Sequence, residues 1–116
     1  MMTVSIVMIT FNHEKFIEHS VNSILMQKCN FEIELIVAND NSSDKTDLLL
    51  NKLLKTHPKA SRVNYFKHKQ NLGMTPNFIF ALKQCKGKYI ALCDGDDYWT
   101  DPSKLKKQVD FLEQNK

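Results

Sequence analysis

The alternation of strand patterns with helix patterns is the feature that most constrains the fold of this 116-residue chain. Short runs rich in β-branched and aromatic residues lie at residues 4–9, 33–38, 63–66 and 89–93. After each run, apolar residues recur three or four positions apart, which is the spacing of one helix face. Such strand–helix units predict an α/β domain, a Rossmann-like three-layer α/β/α sandwich with a mainly parallel sheet. We expect residues 1–116 to form a single domain.

Polar residues near the predicted helices indicate where these helices begin. Ser42 or Ser43 is expected to cap the second helix. Asp101 followed by Pro102 is a typical start of the last helix, with the carboxylate as the cap and proline at the first helical position. Gly73 is expected in a turn with positive φ.

The composition excludes several classes of protein. With 42% hydrophobic and 25% charged residues, the chain is typical of a globular domain. No apolar run approaches the roughly 20 residues of a membrane span. The three cysteines form no CxxC pair, which favours reduced thiols. Although the net charge is +3, no basic run alternates with aromatics, so we expect no nucleic-acid partner. A cytoplasmic location follows, with the inner face of a membrane as the alternative.

Polar segments follow three of the predicted strands, at residues 10–13, 39–42 and 94–97. In an open parallel sheet, ligands bind beyond the carboxyl ends of the strands. The last segment contains Asp94, Asp96 and Asp97, whose mutual repulsion is relieved by a cation. Hard oxygen ligands suit Mg²⁺ or Mn²⁺, and Gly95 lets a ligand approach the backbone. The alternative is a solvated loop whose carboxylates only cap a helix.

Other candidate side chains have both a binding and a structural interpretation. Asp40 is either a hydrogen-bond acceptor for a base or ribose, or the start of an Asx-turn. Phe11 either stacks on a base or packs in the protein. Tyr98 and Trp99 either line a sugar site or anchor the loop to the core. The four histidines are scattered, and we interpret them as surface or hydrogen-bonded residues.

In combination, these segments resemble the family 2 glycosyltransferases, which have the GT-A fold. The resemblance covers almost the whole chain, in order: the opening strand at 4–12, a DDGSxD-like segment at 39–44, the NxG turn at 71–73, the DxDD segment at 88–97 and the PxKL helix at 101–105. The chain departs from the family at Asn39, a common aspartate, and at Asn41, a common glycine. Asn77 lies where many members have an arginine near the diphosphate.

The resemblance implies a role for each candidate residue. Phe11 and Asp40 would hold the nucleobase, most often uracil, and Asp96 would bind the metal that neutralises the leaving diphosphate. The expected donor-nucleotide residues are Thr10, Phe11, Asn12, Asp40, Asn71, Gly73, Asp94 and Gly95; the metal residues are Asp94 and Asp96; the donor-sugar residues are Asp97, Tyr98 and Trp99.

The implied activity is transfer of a sugar from a nucleotide-diphosphate donor, first of all a UDP-sugar, to an acceptor hydroxyl with inversion. The cofactor would be Mn²⁺ or Mg²⁺, the acceptor a carbohydrate or a lipid-linked molecule, and the setting polysaccharide biosynthesis. The family's catalytic base is a carboxylate well downstream of the DxD segment, and no residue up to Lys116 matches it. We therefore expect the base beyond residue 116. This chain would be the donor-binding part of a longer protein, and peripheral membrane association of that full-length protein is an alternative to a purely cytoplasmic location.

Four other classes were weighed against this hypothesis. A receiver-type signalling domain needs an acidic pair after its first strand, where this chain has residues 10–12. A phosphatase of the haloacid dehalogenase type carries its DxD after the first strand, not the fourth. A dinucleotide oxidoreductase needs a glycine-rich turn after its first strand, and this chain has only three glycines in all. A module that binds nucleotide and metal without turnover remains an alternative.

Overall fold

A computed structural model describes residues 2–115 and contains every predicted strand and helix. None of the helices in that range combines the length and apolar character needed to cross a bilayer. The elements are β1 (Met2–Thr10), α1 (Ile17–Leu25), β2 (Glu32–Asn39), α2 (Thr46–Thr56), a 3₁₀ turn (Ala60–Arg62), β3 (Val63–Lys67), α3 (Met74–Lys83), β4 (Tyr89–Leu92) and α4 (Lys104–Gln114).

The strands form one sheet in the order β3-β2-β1-β4, and every pairing is parallel. Ile6 at the middle of β1 lies between Leu35 of β2 and Ala91 of β4. Since all strands run the same way, their carboxyl ends meet at one edge of the sheet. The predicted fold class is confirmed, and this edge is where a ligand site is expected.

Helices cover both faces of the sheet, as the three-layer prediction requires. On one face, α1, α2 and α4 bury side chains such as Ile24, Leu50 and Leu105 against β1 and β2. On the other face, α3 packs Ala81 against Val7 and neighbouring strand residues. Each fully buried large aliphatic side chain contributes about 1.5–3 kcal/mol of transfer free energy.

The strands differ in how deeply they are buried. Most of β1 and β2 is inaccessible on both faces, which explains their nearly continuous apolar sequences. The apolar run of β4 is not buried on both faces, because Ile90 and Leu92 are 50% and 57% exposed. The reason is topological: β4 is an edge strand, and α3 packs over β1 and β2 instead.

The start of α2 differs from the prediction. The helix begins at Thr46, and neither Ser42 nor Ser43 caps it. Asp44 serves this end instead, since its Oδ1 accepts hydrogen bonds from the Thr46 amide at 2.9 Å and the Thr46 hydroxyl at 2.6 Å. The serines lie too far before the helix to reach its first amide groups, and they bind neighbouring loops.

The start of α4 is also later than predicted. The helix begins at Lys104, so Pro102 lies in the preceding turn instead of at the first helical position. The Asp101 carboxylate accepts the Ser103 amide at 2.9 Å, and the Asp101 carbonyl accepts the Lys104 amide at 3.1 Å. Asp101 therefore organises the turn that leads into the helix without being its N-cap.

Candidate functional site

An open cavity of about 500 Å³ lies at the carboxyl edge of the sheet. The ends of β1 and β2, the loop before α3 and the acidic segment after β4 all contribute to its walls. This confirms the predicted convergence of the first, second and fourth strands. The lining residues are Ile9, Thr10, Phe11, His13, Asp40, Asn71, Gly73, Met74, Asn77, Asp94 and Asp96.

Asp40 joins the end of β2 to the loop that precedes α3. Its Oδ1 accepts the Leu72 amide at 2.6 Å, and its Oδ2 accepts the Gly73 amide at 3.1 Å. The Asn71 side-chain amide donates to the Asp40 carbonyl. Gly73 has φ of +94°, as predicted for this turn. Because each carboxylate oxygen has a second lone pair, Asp40 supports this wall and keeps capacity to accept from a ligand.

The residues at the end of β1 have different environments. The Phe11 side chain is 46% exposed at the cavity, where its ring offers a flat apolar surface. Thr10 is buried beside it. Asn12 does not line the cavity: with φ of 55°, it accepts the Ser43 amide on Oδ1 at 2.8 Å and donates its own amide to Ser42 Oγ at 2.9 Å. Asn12 thus joins the loops after β1 and β2.

Both asparagines that depart from the family pattern have a structural explanation. Asn39 is fully buried, accepts the Ser42 hydroxyl at 2.6 Å and donates to the Tyr65 hydroxyl at 2.9 Å. Since Tyr65 donates to Asp47 at 2.6 Å, residue 39 must be both a donor and an acceptor, which an ionised aspartate is not. Asn41 has φ of 55°, a conformation that glycine and asparagine tolerate best.

The acidic segment after β4 brings two carboxylates to the cavity. Burial raises the pKa of Asp94, the Asp96 charge raises it further, and His13 partly opposes both effects. Asp97 lies beside them but does not line the cavity; its amide closes a turn onto the Asp94 carbonyl at 3.0 Å. Repulsion between the carboxylates, which their spacing in the sequence predicts, therefore adds to the larger effect of burial.

Gly95 fits a space between β1 and α1 that has no room for a side chain. A Cβ atom at this position would lie 2.5 Å from Thr10 Oγ1 and 2.8 Å from His13 Nδ1. The Gly95 amide donates to the Ile9 carbonyl at 3.1 Å, and its carbonyl accepts the buried Ser20 hydroxyl at 2.9 Å. The glycine does not line the cavity, but it holds the acidic segment against the sheet.

Tyr98 and Trp99 diverge after the acidic segment. Trp99 is buried in the core, and Lys104 Nζ lies 4.3 Å from the centre of its ring. Its environment corresponds to the interpretation that it anchors the loop. Tyr98 is 51% exposed and contacts the His19 ring, with 4.3 Å between the ring centroids.

Four residues that line the cavity are not among the site residues predicted from the sequence: Ile9, His13, Met74 and Asn77. His13 has a signal in the sequence, because it ends the polar segment after β1. Asn77 is buried; its side chain donates to the Ala38 carbonyl at 3.0 Å and lies 2.8 Å from His68 Nε2. The amide is therefore engaged with the protein. Met74 carries no comparable signal.

Metal-binding capacity at this edge comes from oxygen atoms. Within residues 2–115, no three His, Cys, Asp or Glu side chains cluster at metal-ligand spacing. Asp94 and Asp96 supply hard carboxylate donors, which suit Mg²⁺ or Mn²⁺, and such ions usually complete their coordination with water and substrate phosphates. The thiol just before this segment is not a competing ligand, because burial, followed by the Asp97 charge, raises the pKa of Cys93 to about 12.

In a parallel α/β domain, a carboxylate-lined cavity at the carboxyl edge of the sheet is where a ligand is expected to bind. The chain belongs to glycosyl transferase family 2, whose family model matches residues 5–116. Its fold is the GT-A fold of that family. Membership decides against the receiver-type domain, the phosphatase and the dinucleotide oxidoreductase.

Relatives of this chain are longer proteins. It is 38% identical to an uncharacterized protein of Mycobacterium tuberculosis, over 96% of this chain and 32% of that protein. It is 36% identical to the Escherichia coli UDP-Glc:alpha-D-GlcNAc-diphosphoundecaprenol beta-1,3-glucosyltransferase WfaP, over 97% of this chain and 42% of that protein. The chain thus spans about a third of the length of the first of these relatives and somewhat more of the second.

Solved structures show the same fold. Staphylococcus aureus TarS (residues 1–349) in complex with UDP-GlcNAc superposes with a TM-score of 0.82 at 28% identity. The alignment covers 97% of this chain and 31% of the TarS chain. This chain therefore corresponds to one part of the larger glycosyltransferase.

Proposed function

We propose that this chain is the donor-binding part of a glycosyltransferase that uses a UDP-sugar. The observation that carries the proposal is that Asp40 after β2 and the pair Asp94 and Asp96 after β4 line one cavity. A nucleoside diphosphate needs a polar contact for its base at one end and a site for a cation near its phosphates at the other. The name of the E. coli relative and the UDP-GlcNAc bound to TarS support uracil as the base.

The base would bind between Phe11 and Asp40. The exposed Phe11 ring supplies a stacking surface, and the free lone pairs of Asp40 can accept a hydrogen bond from the uracil N3–H. Asp40 is already oriented by two backbone amides, so little side-chain entropy is lost on binding.

The diphosphate would bind beside Asp94 and Asp96 together with a divalent cation. Mn²⁺ or Mg²⁺, when bound, supplies Lewis-acid stabilisation of the leaving diphosphate. The carboxylates fit such an ion because their oxygens are hard donors, and because a cation would relieve the repulsion that adds to the effect of burial on the pKa of Asp94. The phosphate oxygens and water would complete the coordination.

In the proposed reaction, an acceptor hydroxyl attacks the anomeric carbon of the donor sugar while the bond to the diphosphate breaks, which inverts the configuration. The exposed Tyr98 would border the donor sugar, and Asp97 and the buried Trp99 would hold this part of the loop in place. The proton of the attacking hydroxyl would pass to a general base, which we expect to be a carboxylate outside residues 1–116. The acceptor is a carbohydrate or a lipid-linked molecule, as the name of the E. coli relative says of that protein, and the full-length protein would meet it by peripheral association with the membrane's inner face.

A thermal-shift panel tests the binding. UDP should raise the melting temperature, and more so with Mn²⁺; at tenfold over Kd the stabilisation is about 1.4 kcal/mol. Asp96→Asn should keep the metal-free UDP shift and lose the Mn²⁺-dependent increment, because a neutral amide is a weaker metal ligand.

Stabilisation by guanosine or thymidine diphosphate but not by UDP would contradict the assignment of the donor base. A longer protein that contains this domain and binds UDP-sugars, yet neither transfers nor hydrolyses them, would favour the module without turnover.

A further inference from the structure

We propose that His13 is a positioning residue that holds the acidic segment, residues 94–97, in the orientation that metal-assisted UDP binding requires. The inference rests on the proposed function and adds a residue to it. His13 lines the cavity with its side chain 23% exposed, between the buried Thr10 and the carboxylate of Asp96.

The backbone of His13 is fixed by two helices. Its amide donates to Thr46 Oγ1 of α2 at 3.0 Å. Its carbonyl accepts the amides of Phe16 and Ile17, at 2.9 Å and 2.8 Å, at the start of α1. The imidazole therefore projects from a rigid point, and rigidity is what a residue that orients others must have.

The imidazole connects β1 to the acidic segment. Nδ1 lies 2.9 Å from the hydroxyl oxygen of Thr10, and Nε2 lies 3.8 Å from Asp96 Oδ2. With the Thr10 hydroxyl donating to Nδ1, the neutral ring carries its hydrogen on Nε2, toward Asp96. This tautomer directs a donor at the carboxylate, and the Thr10 hydroxyl is compatible with it because it can donate to Nδ1.

The same ring limits the position of Gly95. The Gly95 backbone is held by the Ile9 carbonyl on one side and the Ser20 hydroxyl on another, and a Cβ atom on it would overlap Thr10 and His13. Contact with the ring does not by itself fix the rotation of the segment; without a donor at the position of Nε2, directed toward Asp96, the segment can rotate about Gly95. Because Asp94 and Asp96 flank Gly95, such a rotation changes the spacing of both carboxylates.

Positioning matters here because the two carboxylates alone do not complete a coordination shell. The metal must be shared with the phosphates of UDP, so it binds well only where the carboxylates already face the cavity. Residues that orient metal ligands in this way typically change metal affinity 10- to 100-fold when they are replaced.

The test compares four versions of this chain: wild type, His13→Phe, His13→Gln and the control His57→Phe. Glutamine places an amide near the position of Nε2, so it should restore orientation, while His57 bonds Asn22 away from the cavity. UDP affinity is measured by calorimetry with and without Mn²⁺. Amide hydrogen exchange of Gly95 is measured without ligands.

We expect His13→Phe to bind UDP alone within threefold of wild type and to lose at least tenfold of the Mn²⁺-dependent gain. Gly95 exchange should quicken at least tenfold in the same variant. His13→Gln should recover most of both properties, and His57→Phe should match wild type. A merely structural role would weaken metal-free binding equally and would not be rescued.

The inference is overturned if His13→Phe keeps the full Mn²⁺ gain, or if its Gly95 amide exchanges at the wild-type rate. A wild-type chain that binds UDP with no gain from Mn²⁺ contradicts the metal role in the proposed function. In that case the exchange of the Gly95 amide still decides whether His13 positions the segment.

Discussion

Replacing Gly95 with alanine should damage the site by steric overlap alone. The new methyl group would lie 2.5 Å from Thr10 Oγ1, roughly 1 Å closer than ordinary contact, and Thr10 is buried and cannot move aside. Overpacking of this kind costs about 1–3 kcal/mol. Alanine also lowers the conformational entropy of the unfolded chain, which offsets about 0.4–1 kcal/mol of this loss in stability. We expect a net loss of about 1–2 kcal/mol, together with displacement of Asp94 and Asp96.

Gly87→Ala is the matched control for this variant. A Cβ atom there would lie 2.5 Å from the Ser5 amide nitrogen, so it overlaps β1 as severely as the first substitution does. Gly87 lies just before β4, however, at the end of the sheet remote from the cavity. Both variants should lose similar stability, and only one should lose function.

The assay is urea unfolding in chelator, followed by UDP titration with Mn²⁺ at a temperature where all variants are folded. Gly95→Ala should weaken UDP binding more than tenfold, while Gly87→Ala should bind like wild type. The reasoning is refuted if Gly95→Ala binds UDP and Mn²⁺ normally, or if it loses no stability.

Three further substitutions test separate carboxylates by the same urea unfolding. Because the pKa of Asp94 is raised in the folded chain, its ionisation costs stability as pH rises through that pKa. Asp94→Asn should therefore be more stable than wild type at pH 7, by less than about 1 kcal/mol. The difference should vanish below the ordinary pKa of 3.8. Asp40→Ala leaves the Leu72 and Gly73 amides without their acceptor, so it should cost about 1–3 kcal/mol and weaken UDP binding. Burial opposes ionisation of Asp44, but hydrogen bonds outweigh it and lower the pKa of this carboxyl, so its contribution to folding stability is present above pH 3.8 and is lost as pH falls through the lowered pKa. Asp44→Ala should therefore cost about 0.5–2 kcal/mol at pH 7 and little at low pH. An equal cost at both pH values would contradict this.

The sequence by itself determined the elements and the edge of the sheet where chemistry takes place. Apolar periodicity is a local property, and it places each strand and helix within a few residues of its observed position. Polar residues after β1, β2 and β4 then meet because parallel strands end together. That rule depends on strand direction alone, so the sequence is enough to predict that Asp40, Asp94 and Asp96 lie at the same edge.

Other features depended on neighbours that are distant in the sequence. The exposure of Ile90 and Leu92 follows from the position of β4 at the edge of the sheet. An apolar β-rich run has the same sequence pattern in an edge strand as in a central strand, so the pattern does not predict this exposure. The starts of α2 and α4 are set by the geometry of the turns that precede them. Sequence propensity does not resolve differences of one or two residues in where a helix begins.

Tertiary structure alone decided how the site is held. A histidine after β1 looks like any surface histidine until Thr10, Gly95 and Asp96 surround it, although Gly95 and Asp96 lie more than eighty positions along the chain. In the same way, Asp40 acquires its loop amides and Asn12 its serine partners only when distant loops meet. Periodicity records which face of an element is apolar, whereas a hydrogen bond requires two particular atoms within about 3 Å, and only the packed chain brings them there.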